Sequence, residues 1–423
     1  MKTVQLQDFR ISVDCIGPKT YTKVSYPRRY GLTSEIAYSD FLYQFNLNGE
    51  LKYISSTGPD WPHPAEWLKR TIGNDWVYYS TGSYYSGVFD LFGEYYLPCP
   101  KYPTNTLFKE DPFTRKAKVS ALREFEQLVS RIPDLADMKV GWEIRNFLNQ
   151  AGRNSMENLQ RRADAFHQLL KARISVLPPD CRHVDYDVIP VMVADGCLYN
   201  CSFCEVKSGM ELSCRTRDEI TAQLNGLREF LGNDLVNYNS VYLGQHDTLA
   251  AEPDDIIFAA EEAYGILQVE HSYMNDPKLF LFGSGETFLN MTKEFWDRLN
   301  ELPYYTYINI GLESFDENTL KYLKKPVSAA EIVKAFQQML IINRKYDRLE
   351  ITANFVLGGE LPAGHYTTLL AHLGENLGKH QAKGCIYMSP LKGSKNTREP
   401  LGLFREIKQR SRMDTFLYLI QRL

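Results

Sequence analysis

The stretch DGCLYNCSFCEV, residues 195–206, places three cysteines in the spacing C-x3-C-x2-C, at Cys197, Cys201 and Cys204. A structural zinc site almost always uses four protein ligands, whereas this segment supplies three and shows no adjacent fourth. Three thiolates can hold a [4Fe–4S] cluster through three of its irons and leave the fourth iron open. Since a catalytic metal site needs an open coordination position, the spacing predicts a cluster that binds a further ligand.

The composition of the whole chain is that of a globular protein. Its 423 residues are 44% hydrophobic and 24% charged, which is ordinary for folded domains and allows two or three of them. The formal net charge of -4 shows no basic surplus, which argues against nucleic acid as a partner. The first residues lack a secretory apolar core, and no apolar run approaches the roughly 18 residues of a membrane span. We therefore expect a cytoplasmic protein without a membrane partner.

The cysteines divide into one cluster of three and five scattered residues, eight in all. This is not the pattern of a small disulfide scaffold, and it favours a reducing compartment with one metal site. Cys385 is expected to be a small buried hydrophobe, and Cys99 a structural residue. A second cluster that uses Cys15 and Cys99 stays open.

Changes in hydrophobic period divide the chain into four regions. Residues 1–110 are rich in aromatic and turn residues and predict a β-rich region. Residues 111–183 carry apolar residues at helical spacing and end at PPDCRH, which reads as a domain boundary. Residues 184–400 alternate between strand and helix patterns, and residues 401–423 predict a short amphipathic helix that packs on them.

The alternating region predicts the fold class. A strand followed by a helix, repeated through six strands, implies parallel strands with right-handed crossovers and so an α/β fold. In a partial barrel or an open sheet alike, the site lies at the carboxyl ends of the strands, which is where the cysteines follow the first strand. The predicted strands cover 184–195, 239–244, 278–283, 305–311, 349–358 and 385–391.

The segment CLYNCSFC resembles the cluster loop of the radical SAM enzymes, which is C-x3-C-x-aromatic-C after the first strand of a partial (β/α)6 barrel. The resemblance implies such a barrel over 184–400, and the β-rich and helical patterns of residues 1–183 predict an α+β region before it. It also implies that the three cysteines bind a [4Fe–4S] cluster whose open iron chelates S-adenosylmethionine (SAM). In this family one electron, supplied by a reductant such as flavodoxin or ferredoxin, cleaves SAM to methionine and a 5′-deoxyadenosyl radical. That radical then abstracts a hydrogen atom from the substrate.

Two nearby segments are similar to parts of the SAM site in that family. Phe203 stands where the family has an aromatic residue that packs near the adenine. LGQHDTL, after the second strand, stands where a GGE-type motif binds the SAM amino group. Gln245 and His246 depart from that motif, so the resemblance assigns the segment as a whole and leaves Asp247 as the acceptor. The residues assigned there are Gly244, Gln245, His246 and Asp247.

Later segments extend the resemblance to about residue 395. GLES is similar to a GxES segment whose glutamate, here Glu313, helps to position SAM. ITANFVLGGELP resembles the glycine-rich segment of strand five that lies against adenine. An inward polar side chain on a strand needs a partner, which makes Asn354 a candidate contact. GSGE, after the third strand, reads equally well as a binding segment or a plain turn. The candidates from the last two segments are Asn354, Leu357, Gly358, Ser284 and Glu286.

The resemblance does not identify the substrate, because residues 1–183 have no counterpart in it. No second cysteine cluster follows the sixth strand, and no D-x-H-x-x-G pattern occurs before the barrel. These observations argue against methylthio transfer, multi-cluster peptide maturation and cobalamin-dependent methylation. We expect a single-cluster enzyme that acts on a small molecule or an unidentified peptide, with the N-terminal half closing over or flanking the barrel opening.

Other interpretations of the same residues stay open. Cys214 or His183 would complete a structural zinc site, and Cys214 would complete a four-cysteine electron-transfer cluster. Either would make the protein a non-catalytic binding or interaction module, and a disulfide is a further alternative. The altered GQHD turn allows a barrel that binds SAM without cleaving it. Modification of tRNA would require a local basic patch within 145–175.

Overall fold

The computed structural model describes most of the chain. The described residues are 1–22, 29–61, 66–79, 96–97, 116–199, 201–204, 206, 210–358, 360–391 and 398–423. Cys99 lies outside them. None of the described helices is long and apolar enough to cross a membrane.

The N-terminal part is an antiparallel sheet covered by helices. Eight described strands follow one another across the sheet in chain order, and aliphatic and aromatic residues together form its buried face. Phe45 lies 6.2 Å from Phe125 and 5.3 Å from Phe147 between ring centroids, so α1 and α2 are anchored on the same strand. The elements are β1 (Lys2–Leu6), β2 (Phe9–Ile16), β3 (Leu32–Tyr38), β4 (Phe41–Phe45), β5 (Leu51–Ser56), β6 (Trp67–Arg70), β7 (Trp76–Tyr79), β8 (Tyr96–Leu97), α1 (Lys116–Ala136) and α2 (Trp142–Ala151).

The helix α3 (Met156–Leu170) joins the two parts of the molecule. It begins at Ser155, whose side chain accepts a hydrogen bond from Asn158 N at 3.3 Å. Leu159 packs in the core of the N-terminal part, whereas Phe166 and Leu170 pack in the core of the second part. The two parts therefore share one continuous helix.

The second part is a parallel sheet whose described strands run in the order β17-β16-β15-β14-β13-β12-β9. Every neighbouring pair is parallel, and β9 and β17 form the two edges of this open barrel. The strands are almost wholly buried, as expected when helices cover a parallel sheet. The arrangement confirms the predicted α/β fold with an α+β region before it. The strands are β9 (Ile189–Met192), β12 (Ser240–Gly244), β13 (Lys278–Ser284), β14 (Tyr305–Glu313), β15 (Leu349–Leu357), β16 (Cys385–Pro390) and β17 (Asp414–Leu417).

Helices and one small hairpin connect these strands. The hairpin follows β9 and consists of β10 (Ala194–Asp195) and β11 (Ser213–Cys214), on either side of the cysteine loop. Capping boxes at Thr216 with Glu219 and at Ser328 with Glu331 mark where two of the helices begin. The helices are α4 (Arg217–Leu231), α5 (Pro253–Ile266), α6 (Gly285–Asn290), α7 (Lys293–Glu301), α8 (Glu317–Tyr322), α9 (Ala329–Lys345), α10 (Gly364–Leu373) and α11 (Arg398–Arg410).

The end of the chain differs from the helix expected over 401–423. The helix α11 ends at Arg410, and Asp414–Leu417 forms the seventh parallel strand beside β16. Met413 and Leu417 are buried there, in a run of apolar residues too short to show a period. Such a run fits a buried strand as well as a helix, which is why periodicity alone gave the wrong element.

The described N-terminal strands dock at the amino ends of the barrel strands. Lys52 and Lys69 place their Nζ atoms 3.2 and 2.9 Å from the carboxylate of Asp187, just before β9. Asn237, just before β12, accepts a hydrogen bond from Leu32 N at 2.7 Å. This is the end of the sheet opposite the cysteine loop. The expectation that the N-terminal half closes over or flanks the opening is therefore not met by the part of it that the structure describes.

Candidate functional site

A cleft opens at the carboxyl ends of the parallel strands. It holds about 1150 Å³ of space continuous with solvent, which is ample for a nucleoside-sized ligand. Strands β13 to β16, the turn after β12, the cysteine loop and the segment after β17 all contribute to its walls. Its described lining is Val176, Cys197, Tyr199, Cys201, Phe203, Cys204, Val206, His246, Asp247, Phe282, Gly283, Ser284, Gly311, Glu313, Lys325, Asn354, Ser389, Pro390, Leu391, Tyr418 and Ile420.

All three clustered cysteines line this cleft. Cys201 is buried, and burial raises the pKa of its thiol to about 11, while Cys197 and Cys204 are partly buried. Burial also raises the pKa of Cys197, so Cys197 and Cys201 are neutral thiols until a metal replaces their protons. Within the described residues, no three or more His, Cys, Asp or Glu side chains are already arranged around a metal position. The loop thus supplies three thiol donors, which are not yet arranged around a common metal position.

The two side chains considered as a fourth ligand lie elsewhere. Cys214 is exposed on β11, and His183 stacks on Tyr307 with 4.6 Å between ring centroids. Neither belongs to the described lining of the cleft. The donor set in the cleft is therefore three thiols, which fits a [4Fe–4S] cluster with one open iron better than it fits structural zinc.

A buried ion pair between Glu313, at the end of β14, and Lys325, just after α8, forms part of the wall. Lys325 Nζ lies 2.9 Å from Glu313 Oε1 and donates to the Gly311 carbonyl at 2.8 Å. The two side chains are only 4% and 10% exposed. Glu313 has a φ of 65°, in the left-handed region that a non-glycine residue rarely adopts, where β14 bulges against β15. The sequence interpretation found Glu313 but missed Lys325.

His365 supports the GLES turn from behind. Its Nε2 lies 3.0 Å from the Val356 carbonyl, which can only accept, so Nε2 carries the proton. Its Nδ1 then accepts from Ser314 Oγ at 2.8 Å, and that oxygen accepts from Asp316 N at 3.0 Å. Burial lowers the pKa of His365 to about 4, so the ring stays neutral and this arrangement holds at neutral pH.

Three buried polar atoms in the cleft lack hydrogen-bond partners within the described chain: Asp247 Oδ2, His246 Nε2 and Asn354 Oδ1. The other oxygen of Asp247 accepts from Ser284 N at 3.2 Å and from Thr287 Oγ1 at 2.8 Å, which fixes the carboxyl of this cleft-lining residue in place. Burial raises the pKa of Asp247 and lowers the pKa of His246 to about 4. An unmade hydrogen bond at a buried polar atom costs about 1–3 kcal/mol. Three of them in one cleft fit a polar ligand such as SAM.

The predicted residues divide by where they lie. Gln245 points away from the cleft and donates to the Arg173 carbonyl at 2.8 Å, and Glu286 lies at the rim, where it accepts from the hydroxyl of Tyr199. Gly358 N donates to Tyr366 Oη at 3.0 Å behind strand β15. In the cleft are Cys197, Cys201, Cys204, Phe203, His246, Asp247, Ser284, Glu313 and Asn354; outside its described lining are Gly244, Gln245, Glu286, Leu357 and Gly358.

The sequence interpretation also missed the residues that close one side of the cleft. Tyr418 and Ile420 follow β17 and line the cleft together with Val176. Tyr418 N donates to the Met388 carbonyl at 2.9 Å, and its hydroxyl donates to the Leu177 carbonyl at 2.7 Å. In the sequence these residues belong to an apolar run that was assigned to the helix predicted over 401–423.

Comparisons with known proteins identify a family for part of the chain. Residues 191–359 match the family model of the Radical SAM superfamily. This part of the chain is therefore similar to the domain of the radical SAM enzymes, which bind a [4Fe–4S] cluster and SAM. This confirms the family resemblance read from CLYNCSFC. No curated protein matches the chain in sequence.

Three solved structures illustrate how distant the relatives are. The radical S-adenosylmethionine methyltransferase TsrM from Kitasatospora setae is 13% identical at a TM-score of 0.34, over 49% of this chain and 38% of that one. A radical SAM methyltransferase from Sphaerobacter thermophilus is 15% identical at 0.36, over 55% and 65%. Streptococcus suis SuiB bound to precursor peptide SuiA is 11% identical at 0.36, over 71% and 62%. The match thus spans less than two thirds of the length of each.

Proposed function

We propose that this protein cleaves SAM reductively, with one [4Fe–4S] cluster on Cys197, Cys201 and Cys204. The observation that carries the proposal is that the three thiols share one cleft with the unpartnered atoms of His246 and Asp247 and that of Asn354. When bound, the reduced cluster supplies the electron that splits SAM into methionine and a 5′-deoxyadenosyl radical, which abstracts a hydrogen atom from the substrate.

Asp247 is the residue that we assign to the SAM ammonium group. Its Oδ2 is a buried acceptor without a partner in the described chain, so a donor with positive charge satisfies it twice, by a hydrogen bond and by charge. His246 beside it is neutral at neutral pH, because burial lowers its pKa to about 4, and it does not repel that group. Asp247 thus replaces the glutamate of the GGE-type motif, which the GQHD turn lacks.

Lys325 assists the cysteines by its charge. Burial raises the pKa of Cys201, and the ammonium of Lys325 acts in the opposite direction and favours the thiolate. Because the ion pair with Glu313 and the hydrogen bond to Gly311 hold Lys325 in place, its charge stays near the thiols that must bind iron.

The remainder of the cleft wall is mainly apolar, with Val176, Phe282, Pro390, Leu391 and Ile420. This favours a substrate whose reacting carbon sits in apolar surroundings, either a small molecule or a segment of peptide. A flavodoxin or ferredoxin is the reductant we propose, in a cytoplasmic setting. The net charge of -4 gives nucleic acid no support as a substrate.

The test of the proposal is formation of 5′-deoxyadenosine. Protein reconstituted without oxygen is expected to contain about four irons and four sulfides per chain. It is then expected to release 5′-deoxyadenosine, measured by liquid chromatography and mass spectrometry, when SAM and dithionite are added. Zinc without sulfide would overturn the proposal in favour of a structural site. A full cluster that binds SAM and yields no product, with or without candidate substrates, would favour a barrel that only binds.

Replacing Asp247 by Asn is expected to weaken SAM binding about 10- to 100-fold. The substitution keeps an oxygen for Ser284 and Thr287 but removes the charge that faces the ammonium group, and hydrogen bonds to charged groups are worth about 1.5–3 kcal/mol. Calorimetric titration of the reconstituted protein with SAM measures the loss. Glu286→Gln removes a carboxylate at the rim and is the matched control, which should bind as the parent does. Equal losses in both variants would contradict the role of Asp247.

A further inference from the structure

A chain of polar side chains runs through the barrel interior beneath the cleft. Asp180, in the turn Pro179–Val184 before β9, is fully buried. Thr352 Oγ1 donates to its Oδ2 at 2.7 Å, and Asn309 Nδ2 donates to Thr352 Oγ1 at 2.9 Å. Asn354 Nδ2 donates to Asn309 Oδ1 at 2.5 Å and so brings the chain to the cleft wall. Polar side chains in such an interior are costly unless each is paired, which makes this alignment an unusual feature.

The strands explain why these side chains meet. Asn309 pairs in register with Thr352 on β15, and Asn354 lies two residues further along the same strand. Alternate residues of a strand point to the same face, so Thr352 and Asn354 both face the interior. Asn309, on β14, bridges them, and Asp180 closes the chain from below. Tyr387, on β16, donates separately to the other oxygen of Asp180 at 2.7 Å.

The hydrogen bonds between these polar side chains all run in one direction, which Asp180 sets. An ionised carboxylate can only accept, so the single hydroxyl proton of Thr352 must go to Asp180. Thr352 is then left to accept from the amide NH2 of Asn309, and Asn309 turns its oxygen to Asn354. Asn354 then donates with its NH2, which leaves its Oδ1 as an acceptor without a partner in the described chain, on a residue that lines the cleft. Both oxygens of Asp180 accept from a hydroxyl, Oδ2 from Thr352 and Oδ1 from Tyr387, as the oxygens of a carboxylate do. These two donors oppose the effect of burial, which raises the pKa of Asp180 to about 6.

We infer that Asp180 is a positioning residue that acts through Thr352 and Asn309 to hold the Asn354 amide with its oxygen toward the cleft. The cleft therefore takes a ligand that donates an N–H or O–H at this position and rejects one that presents an acceptor there. This rests on the proposed function only in naming SAM as that ligand, since the adenine amino group, the ribose hydroxyls and the ammonium group all donate. A site built around one buried acceptor discriminates strongly, because a mismatched ligand leaves it unpaired.

Two substitutions and their combination test the direction of the chain. Asn354→Asp sets a carboxylate oxygen against Asn309 Oδ1 with no proton between them. Asp180→Asn supplies an NH2 that can donate to Thr352, which lets the chain run the other way and turns the Asn354 NH2 toward the cleft. In the double variant the reversed chain donates into the new carboxylate at 354, whose second oxygen again faces the cleft as an acceptor.

We expect each single variant to bind SAM at least about tenfold more weakly, and the double variant to bind within about threefold of the parent. Thermal unfolding without SAM provides an independent measurement. The melting temperature of the double variant should lie several degrees above the value expected if the losses of the two single variants added. Additive melting shifts would overturn the inferred direction, whatever SAM does. Full SAM affinity in Asn354→Asp would overturn the ligand contact. If the parent protein binds no SAM but the melting temperatures of the variants are still non-additive, the proposed function is wrong and the inferred direction of the hydrogen bonds holds.

Discussion

Cys201→Ala protein, reconstituted without oxygen, is expected to hold no stable [4Fe–4S] cluster and to form no 5′-deoxyadenosine. Three thiolates already leave one iron without a protein ligand, so the loss of another leaves two irons to be held by other donors. Cys201 is the buried member of the set, and its position is the one least able to recruit water as a replacement. Iron and sulfide content after desalting, together with 5′-deoxyadenosine from SAM and dithionite, measures both effects.

Cys214→Ala is the matched control for that experiment. Cys214 is exposed on β11 beside the same loop, but it does not belong to the described lining of the cleft. The variant should keep the iron, the sulfide and the product of the parent protein. A cluster that is lost in Cys214→Ala as well would show four cysteine ligands and favour the electron-transfer site, which has no open iron for SAM.

The fold of the barrel was predictable because its signals are local. Each buried parallel strand is a short apolar run, and the capping boxes at Thr216 and Ser328 show where helices begin. The docking of the N-terminal sheet was not predictable, since it depends on contacts such as Lys52 and Lys69 with Asp187, which are distant in sequence. Ion pairs of this kind leave no pattern in a single chain.

The site was predictable where a motif carried it and not where packing did. The cysteines and Glu313 stand in recognisable segments, whereas Gln245 lies next to Asp247 yet points the other way to reach the Arg173 carbonyl. Lys325 follows another lysine at a helix end and reads as a solvated charge. Asp180 lies in PPDCRH, which reads as a domain boundary, although the structure places it in the middle of the barrel interior.

Lys325→Met is expected to destabilise the protein by about 3–5 kcal/mol, the cost of leaving one partner of a buried ion pair alone. Glu313 would keep its charge in a wall where its side chain is only 10% exposed, and the Gly311 carbonyl would lose its donor. Urea unfolding measures the change in the free energy of unfolding. The neighbouring Lys324→Met has the same change of side chain at an exposed position and should cost no more than about 0.5 kcal/mol.

The double variant Glu313→Gln with Lys325→Met separates the charge from the packing. If the cost in Lys325→Met comes from an unpaired buried carboxylate, neutralising that carboxylate should recover more than half of it, because removing both charges is far milder than removing one. Equal stabilities for Lys325→Met and Lys324→Met would show that water reaches Glu313 and that the pair is not buried in solution. Recovery of stability without recovery of SAM binding would show that binding needs a charge of this pair that the fold does not need.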